Sequence, residues 1–253
     1  MAHIIALANQ KGGCAKTTTA VNLSAGLSIK GKKVLLVDID PQANATTVFA
    51  DYNKLQKTIY DVLFNKAPIK EAIIETSTKN LFLLPADIEL SAADIKLSDT
   101  IGREKLLLHN IKNIINDYDY IIIDTPPSLG LLTVNALTTA KEIIIPISAS
   151  YFAMKGVTLL ENTINLIREN LDHPELKISG VLCTLYDSVT NVSKDVLSMI
   201  KEYFKDLVMK TIIHKNVKLE EAHSNKKPIY EYAPDSVGAK DYMNLTKEVL
   251  SND

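Results

Sequence analysis

Apolar positions along the chain follow two periods that alternate almost to its end. Residues 3–8, 33–38, 80–85, 120–124 and 142–147 are short β-branched or leucine-rich runs without polar alternation. Such runs predict strands buried on both faces. Residues 178–184 and 207–213 read as two more strands. Between the runs, apolar residues recur at helical spacing, as in Ala20, Leu23 and Leu27, or Leu107, Ile111, Ile114, Ile115 and Tyr118. The same period returns in Val157, Leu160, Ile164, Ile167 and Leu171, in Val192, Val196, Met199 and Tyr203, and in Tyr242, Leu245 and Val249. Residues 39–78 are less regular, with a helix predicted near 59–65 and an interruption at Pro68. Strands alternating with helices predict an α/β fold, a doubly wound and mostly parallel sheet with helices on both faces. In such a fold ligands bind at the carboxyl ends of the strands. With no low-complexity linker and no internal repeat, residues 1–253 read as a single domain.

Composition narrows the function classes. A chain of 253 residues that is 46% hydrophobic can bury a full core. The net charge is −2, so attraction of the whole molecule to nucleic acid is not implied and any such binding needs a local patch. Two cysteines, Cys14 and Cys183, are too few for a disulfide framework or a tetrathiolate site. The start lacks the charged-then-apolar layout of a signal peptide, and no apolar run reaches membrane-spanning length. These features predict a soluble protein of a reducing cytoplasm.

The chemistry begins where the first strand ends. Asn9-Gln10-Lys11-Gly12-Gly13-Cys14-Ala15-Lys16-Thr17-Thr18 leads into a helix, and strand, glycine-rich turn, Lys-Thr and helix together predict a phosphate-binding loop. Backbone N–H groups and a helix N-terminus form a concavity for phosphate oxygens, Lys16 adds a full charge, and the Thr17 hydroxyl can ligate Mg²⁺. The residue before the lysine is Ala15 where the common pattern has glycine. If that position needs a positive φ, alanine costs roughly 1–2 kcal/mol. Cys14 invites two readings, a redox-sensitive thiol beside phosphates or a small filler, and the filler is favoured.

Two carboxylate motifs follow. In Asp38-Ile39-Asp40-Pro41, residues two apart on an extended segment point the same way, so Asp38 and Asp40 are expected to face one site. A carboxylate there could position the attacking water or the metal. Asp124, at the end of an all-apolar strand and before Thr125-Pro126-Pro127-Ser128, reads as the second phosphate-loop signature, holding Mg²⁺ directly or through water.

Lys11-Gly12-Gly13-Cys14-Ala15-Lys16-Thr17-Thr18, with a lysine ahead of two glycines, resembles the deviant phosphate loop of the ParA/Soj partition ATPases, a P-loop NTPase family related to MinD and the nitrogenase iron protein. The likeness runs on through Asp38 to Thr46, Asp124 to Ser128, Asn216-Val217-Lys218-Leu219-Glu220-Glu221-Ala222 and Gly238-Ala239-Lys240-Asp241-Tyr242, and so covers essentially the whole chain. The resemblance implies a Mg²⁺-dependent ATP hydrolase that dimerises around ATP. Residues 11–18 and Asn216 would bind the nucleotide, with Lys11 reaching the partner's phosphates and Lys16 its own. Thr17, Asp40 and Asp124 would serve the metal, and Asp40 would orient the hydrolytic water. It further implies non-specific DNA binding by the dimer, a ParB-type partner that stimulates hydrolysis, and a nucleoid-associated location in the cytoplasm.

Several positions depart from the family pattern. Ser148 and Ser150 stand where Gln and Glu are frequent, Val189 where an arginine often serves DNA, and His214 and His223 where prolines are usual. Lys218 falls where the family keeps a DNA-contacting basic residue, within a lysine-rich but acid-interrupted region from Lys194 to Lys227. A MinD-like membrane-cycling regulator, or a positioner of a protein assembly, is the alternative. The final helix is short, acidic at its tip and without an aromatic anchor, so no stable membrane anchor is expected. An electron-transfer role is rejected, because neither cysteine is placed to ligate a cluster.

Overall fold

A computed structural model describes residues 1–150 and 156–251. Eight strands form one sheet in the order β3-β4-β2-β5-β1-β6-β7-β8. They are β1 (His3–Leu7), β2 (Val34–Asp38), β3 (Ile74–Glu75), β4 (Leu81–Leu84), β5 (Tyr120–Asp124), β6 (Glu142–Ser148), β7 (Lys177–Tyr186) and β8 (Val208–His214). All neighbours run parallel except the two-residue edge strand β3, which pairs antiparallel with β4.

Apolar runs without alternation have the expected consequence. On β1, Ile4 and Ala6 join one core while Ile5 and Leu7 join the other, and β5 divides in the same way between Ile121 with Ile123 and Tyr120 with Ile122. One face is covered by α3 (Ile59–Phe64), α6 (Leu106–Ile111), α7 (Leu131–Thr139), α8 (Val157–Asn170) and α9 (Asn191–Phe204). The other is covered by α1 (Lys16–Ile29), α10 (Val217–Ser224), α11 (Ile229–Tyr232) and α12 (Val237–Ser251). Three short helices complete the set, α2 (Asn44–Phe49), α4 (Ile69–Ala72) and α5 (Ala93–Leu97). The burial of so much apolar surface on two faces is the main stabilising term in a fold of this kind.

Helix α1 is buried on nearly every side, its polar residues Thr19, Asn22 and Ser24 included. Thr19 Oγ1 lies 3.2 Å from the Tyr242 hydroxyl of α12, and Asn22 Oδ1 accepts the Ile229 N–H at 2.8 Å. These bonds keep Thr19 and Asn22 satisfied, though not the Ser24 hydroxyl, and fix the helix behind the phosphate loop.

Sequence expectations need correction in places. The stripe from Leu107 to Tyr118 is a helix only to Ile111; beyond it Ile114 N–H bonds to the Ile111 carbonyl and Asp117 N–H to the Ile114 carbonyl. Such three-residue turns still bury Ile111 and Ile114 on one side, so periodicity alone cannot separate them from a longer helix. The irregular stretch after β2 holds α2, α4 and β3, which are too short to show a period. Residues 151–153, quoted with the Ser148 and Ser150 departures, and the tail residues 252–253 lie outside the described residues. No helix among the described residues is long and apolar enough to cross a membrane.

Candidate functional site

The strand order places the carboxyl ends of β2, β5 and β1 side by side, with Asp38 opposite Asp124 and Leu7 opposite Asp124. Three motifs far apart in sequence therefore meet at one edge. Above them the loop from β1 to α1 turns through two left-handed residues, Gly13 at φ 68° and Ala15 at φ 65°. The positive φ anticipated for position 15 is present in an alanine. Ala15 precedes α1 without any side-chain cap, and the first turn carries no acidic residue. The N–H groups there are consequently available to an anion, which is what a phosphate cradle requires.

Cross-links hold the loop from below. Asn9 Oδ1 accepts the Lys11 N–H at 2.9 Å while its Nδ2 donates to the Pro146 carbonyl at 2.7 Å. Thr184 Oγ1 donates to the Cys14 carbonyl at 3.0 Å, and Thr125 Oγ1 to the Leu7 carbonyl at 2.7 Å. Lys16 is buried and donates from Nζ to the Lys11 carbonyl at 3.1 Å. Lys11 turns the other way, its Nζ donating to Ser150 Oγ at 2.8 Å.

A cavity of about 540 Å³ opens over this loop. Its walls include Gly12, Gly13, Ala15, Lys16, Thr17, Thr18, Asp40 and Asn216, while Lys11, Cys14 and Asp124 stand outside the lining. Asn216 also caps α10, accepting the Lys218 N–H at 2.9 Å. Leu185, Ile213, Leu219, His223 and Tyr242 give the cavity a wall that sequence reasoning did not assign. Their common signal is weak, since Leu219 and His223 share a helix face and the others lie on separate elements. Burial holds the His223 imidazole below its ordinary pKa, so it is neutral at pH 7.

Beneath the floor, Asp124 is fully buried and neither carboxylate oxygen has a hydrogen bond of ordinary geometry. Burial, then the charge of Asp38, drives its pKa well up; the Thr17 hydroxyl and the Lys16 ammonium pull it back. A buried carboxylate with two open oxygens beside a threonine hydroxyl suits a hard divalent cation. Oxygen donors of this kind, a carboxylate and a hydroxyl, are those that Mg²⁺ takes.

Asp38 and Asp40 do not share one orientation. Asp40 lines the cavity, its Oδ1 accepting the Gln42 N–H at 3.0 Å. Asp38 is fully buried and accepts from Asp40 N–H at 3.1 Å, and from Thr46 N–H and Thr46 Oγ1 at 2.8 Å each. Burial pushes Asp38 up to about 6, against the pull of these donors. The alternation rule fails because β2 ends at Asp38 and the chain turns at once. Thr46 was not singled out by the sequence.

Cys14 is buried, donates from Sγ to the Lys11 carbonyl at 3.2 Å, and is raised in pKa chiefly by burial despite nearby Lys16. That environment supports the filler reading. Lys218 Nζ pairs with Glu221 Oε2 at 2.8 Å, and the Tyr232 hydroxyl donates to the same oxygen at 2.9 Å. Val189 is 85% exposed.

A family model described as an AAA domain matches residues 2–178. The sporulation initiation inhibitor protein Soj of Bacillus subtilis is 47% identical over 253 residues, covering 100% of both chains. The chain belongs to the Soj/ParA family of chromosome-partitioning ATPases. A second Soj/ParA relative, the chromosome-partitioning ATPase Soj of Treponema pallidum, is 42% identical across 100% of this chain and 99% of its own. Among solved structures, a cobyrinic acid a,c-diamide synthase from Mycobacterium smegmatis with bound ADP and magnesium superimposes with a TM-score of 0.88 at 35% identity, covering 100% of this chain and 95% of that one. The Soj/ParA phosphate loop and both carboxylate motifs accordingly lie together at one sheet edge in this chain.

Proposed function

We propose that residues 1–253 act as one ATPase unit that closes on ATP and Mg²⁺ as a homodimer, binds DNA without sequence preference in that state, and is released when a ParB-type partner stimulates hydrolysis. The observation that carries this reading is the loop with two lysines of different fate. Lys16 is buried against its own loop, whereas Lys11 lies outside the cavity lining and is partly exposed. One cation then serves the phosphates bound in the same subunit, and the other, held by a partly exposed bond to Ser150, can be released to a second subunit. ATP shared in this way links association to the nucleotide state, and its hydrolysis dissolves the dimer.

The roles divide among the chain's own groups. Residues 12–18 would cradle the phosphates, and Asn216 would contact the far part of the nucleotide. Thr17, Asp40 and Asp124 would hold Mg²⁺, which when bound neutralises charge building on the phosphate oxygens. Asp40 orients the water. The cargo then moves by cycles of DNA binding and release in the cytoplasm, over the nucleoid.

Light scattering after size exclusion tests the reading. An Asp40→Ala variant is expected as a dimer with ATP and a monomer with ADP, and the ATP form should retain on DNA. A dimer indifferent to nucleotide would overturn it. Pelleting with liposomes in ATP, in place of DNA, would favour the membrane-cycling alternative.

A further inference from the structure

We infer that Asp38 and Thr46 form a clamp that aims the Asp40 carboxylate, making both of them positioning residues for hydrolysis. The inference rests on the ATPase reading above. Asp38 is fully buried and, unlike Asp124, has both oxygens taken up by donors of the protein, which leaves neither open to nucleotide or metal. Its two oxygens are nevertheless divided with a clear purpose. Oδ1 accepts the Asp40 N–H at 3.1 Å, whereas Oδ2 accepts both the Thr46 N–H and the Thr46 hydroxyl at 2.8 Å. One carboxylate therefore pins the two ends of the segment that carries Asp40.

The segment between those ends is closed by its own bonds. Gln42 N–H donates to Asp40 Oδ1 at 3.0 Å, and Ala43 N–H donates to the Asp40 carbonyl at 2.9 Å. Ala43 is left-handed, at φ 51°, immediately before α2. Turning the chain this tightly places the Asp40 side chain on the cavity wall, and the direction it takes depends on where the turn is anchored. Thr46 supplies the outer anchor with both capacities of its hydroxyl, donating to Asp38 and accepting the Ala86 N–H at 2.9 Å. Ala86 lies just beyond β4, so the hydroxyl ties α2 to β4 as well as to β2. Valine has the shape of threonine but neither capacity, and serine has both.

A group that only stabilises the fold and a group that aims a catalytic side chain differ in what their loss changes. Misplacement of a reacting group by about 1 Å costs on the order of 10²-fold in rate while leaving binding largely intact. The test is Thr46→Val, Thr46→Ser and Asp38→Asn, each measured for turnover, for affinity toward a fluorescent ATP analogue, and for amide hydrogen exchange at residues 39–46 without nucleotide. Thr46→Val and Asp38→Asn should lose about 10- to 100-fold in kcat with nucleotide affinity within about threefold of the parent. Exchange at the Asp40 amide should rise in both, and Thr46→Ser should restore parental values in every readout. Should Thr46→Val fail to fold, Asp38→Asn decides the matter alone. Parental kcat and parental exchange in a folded Thr46→Val or Asp38→Asn variant would overturn the clamp. Faster exchange with unchanged kcat would also overturn it, leaving a stabilising role only. A parent that binds ATP and hydrolyses none would sink the ATPase reading instead, and the exchange data keep that outcome distinct.

Discussion

The Lys11 ammonium donates to Ser150 Oγ at 2.8 Å, and Ser150 Oγ lies 3.0 Å from Ser148 Oγ at the end of β6. The lysine proposed to serve a second subunit is thus folded back on its own. A partly exposed hydrogen bond of this kind contributes about 1 kcal/mol, which sets the cost of releasing Lys11. Because a homodimer releases two such lysines, Ser150→Ala is expected to strengthen ATP-dependent dimerisation by up to about thirtyfold. Sedimentation equilibrium of Asp40→Ala with and without the Ser150 change measures it. Weaker association in the double variant would show that the serine supports the dimer.

The two lysines should fail differently. Lys16→Ala is expected to lose binding of a fluorescent ATP analogue, because it removes the buried cation at the cavity. Lys11→Ala should bind the analogue and remain monomeric. Identical failure at the binding step would remove the support for a role across the interface.

Ala15 holds a φ of 65° that a Cβ disfavours. Glycine relieves roughly 1–2 kcal/mol of strain and returns about 0.4–1 kcal/mol through the greater freedom of the unfolded chain. Ala15→Gly should therefore raise stability by about 0.5–1 kcal/mol, read as a higher urea midpoint at unchanged slope. A lower midpoint would mean that the methyl group contributes packing in excess of its strain.

Burial raises the pKa of both thiols, Cys183 to about 11. A raised thiol pKa means less thiolate at a given pH, about one part in a thousand for Cys183 at pH 8. Titration with an aromatic disulfide at pH 8 should find both cysteines silent in the native protein and two reactive thiols in denaturant. Fast labelling of Cys14 in the native state would revive the redox reading.

Lys218 is paired with Glu221 in the same helix, at 49% side-chain exposure. An exposed pair of this type is weak, so DNA phosphate can compete for the lysine. Lys218→Ala should weaken ATP-dependent DNA binding and lower the log–log salt slope by about 0.9 for each contact removed. Glu221→Gln should act oppositely by freeing the lysine, and Val189→Arg should add a contact at an exposed position. A salt series with ATP checks all three, and an unchanged slope in Lys218→Ala would locate the DNA surface elsewhere.

By itself the sequence determined every strand of the sheet except the two-residue β3, most of the long helices and the phosphate loop. Those features are local: a buried strand is a contiguous apolar run, and a phosphate loop is one glycine-rich turn between a strand and a helix. Even the cost at Ala15 was legible, because a backbone requirement shows in the residue that departs from it. Tertiary structure decided what the end of each strand faces. Asp38 and Asp40 have the same local pattern, yet one turns inward because Thr46, itself held by the Ala86 amide, comes to meet it, and the other lines the cavity. Lys11 rests on a serine 139 residues away, and Asp124 is stranded with two open oxygens because β2 and β1 flank β5. Where a polar side chain points depends on the donors and charges that distant segments bring within reach, and short-range periodicity carries no record of them.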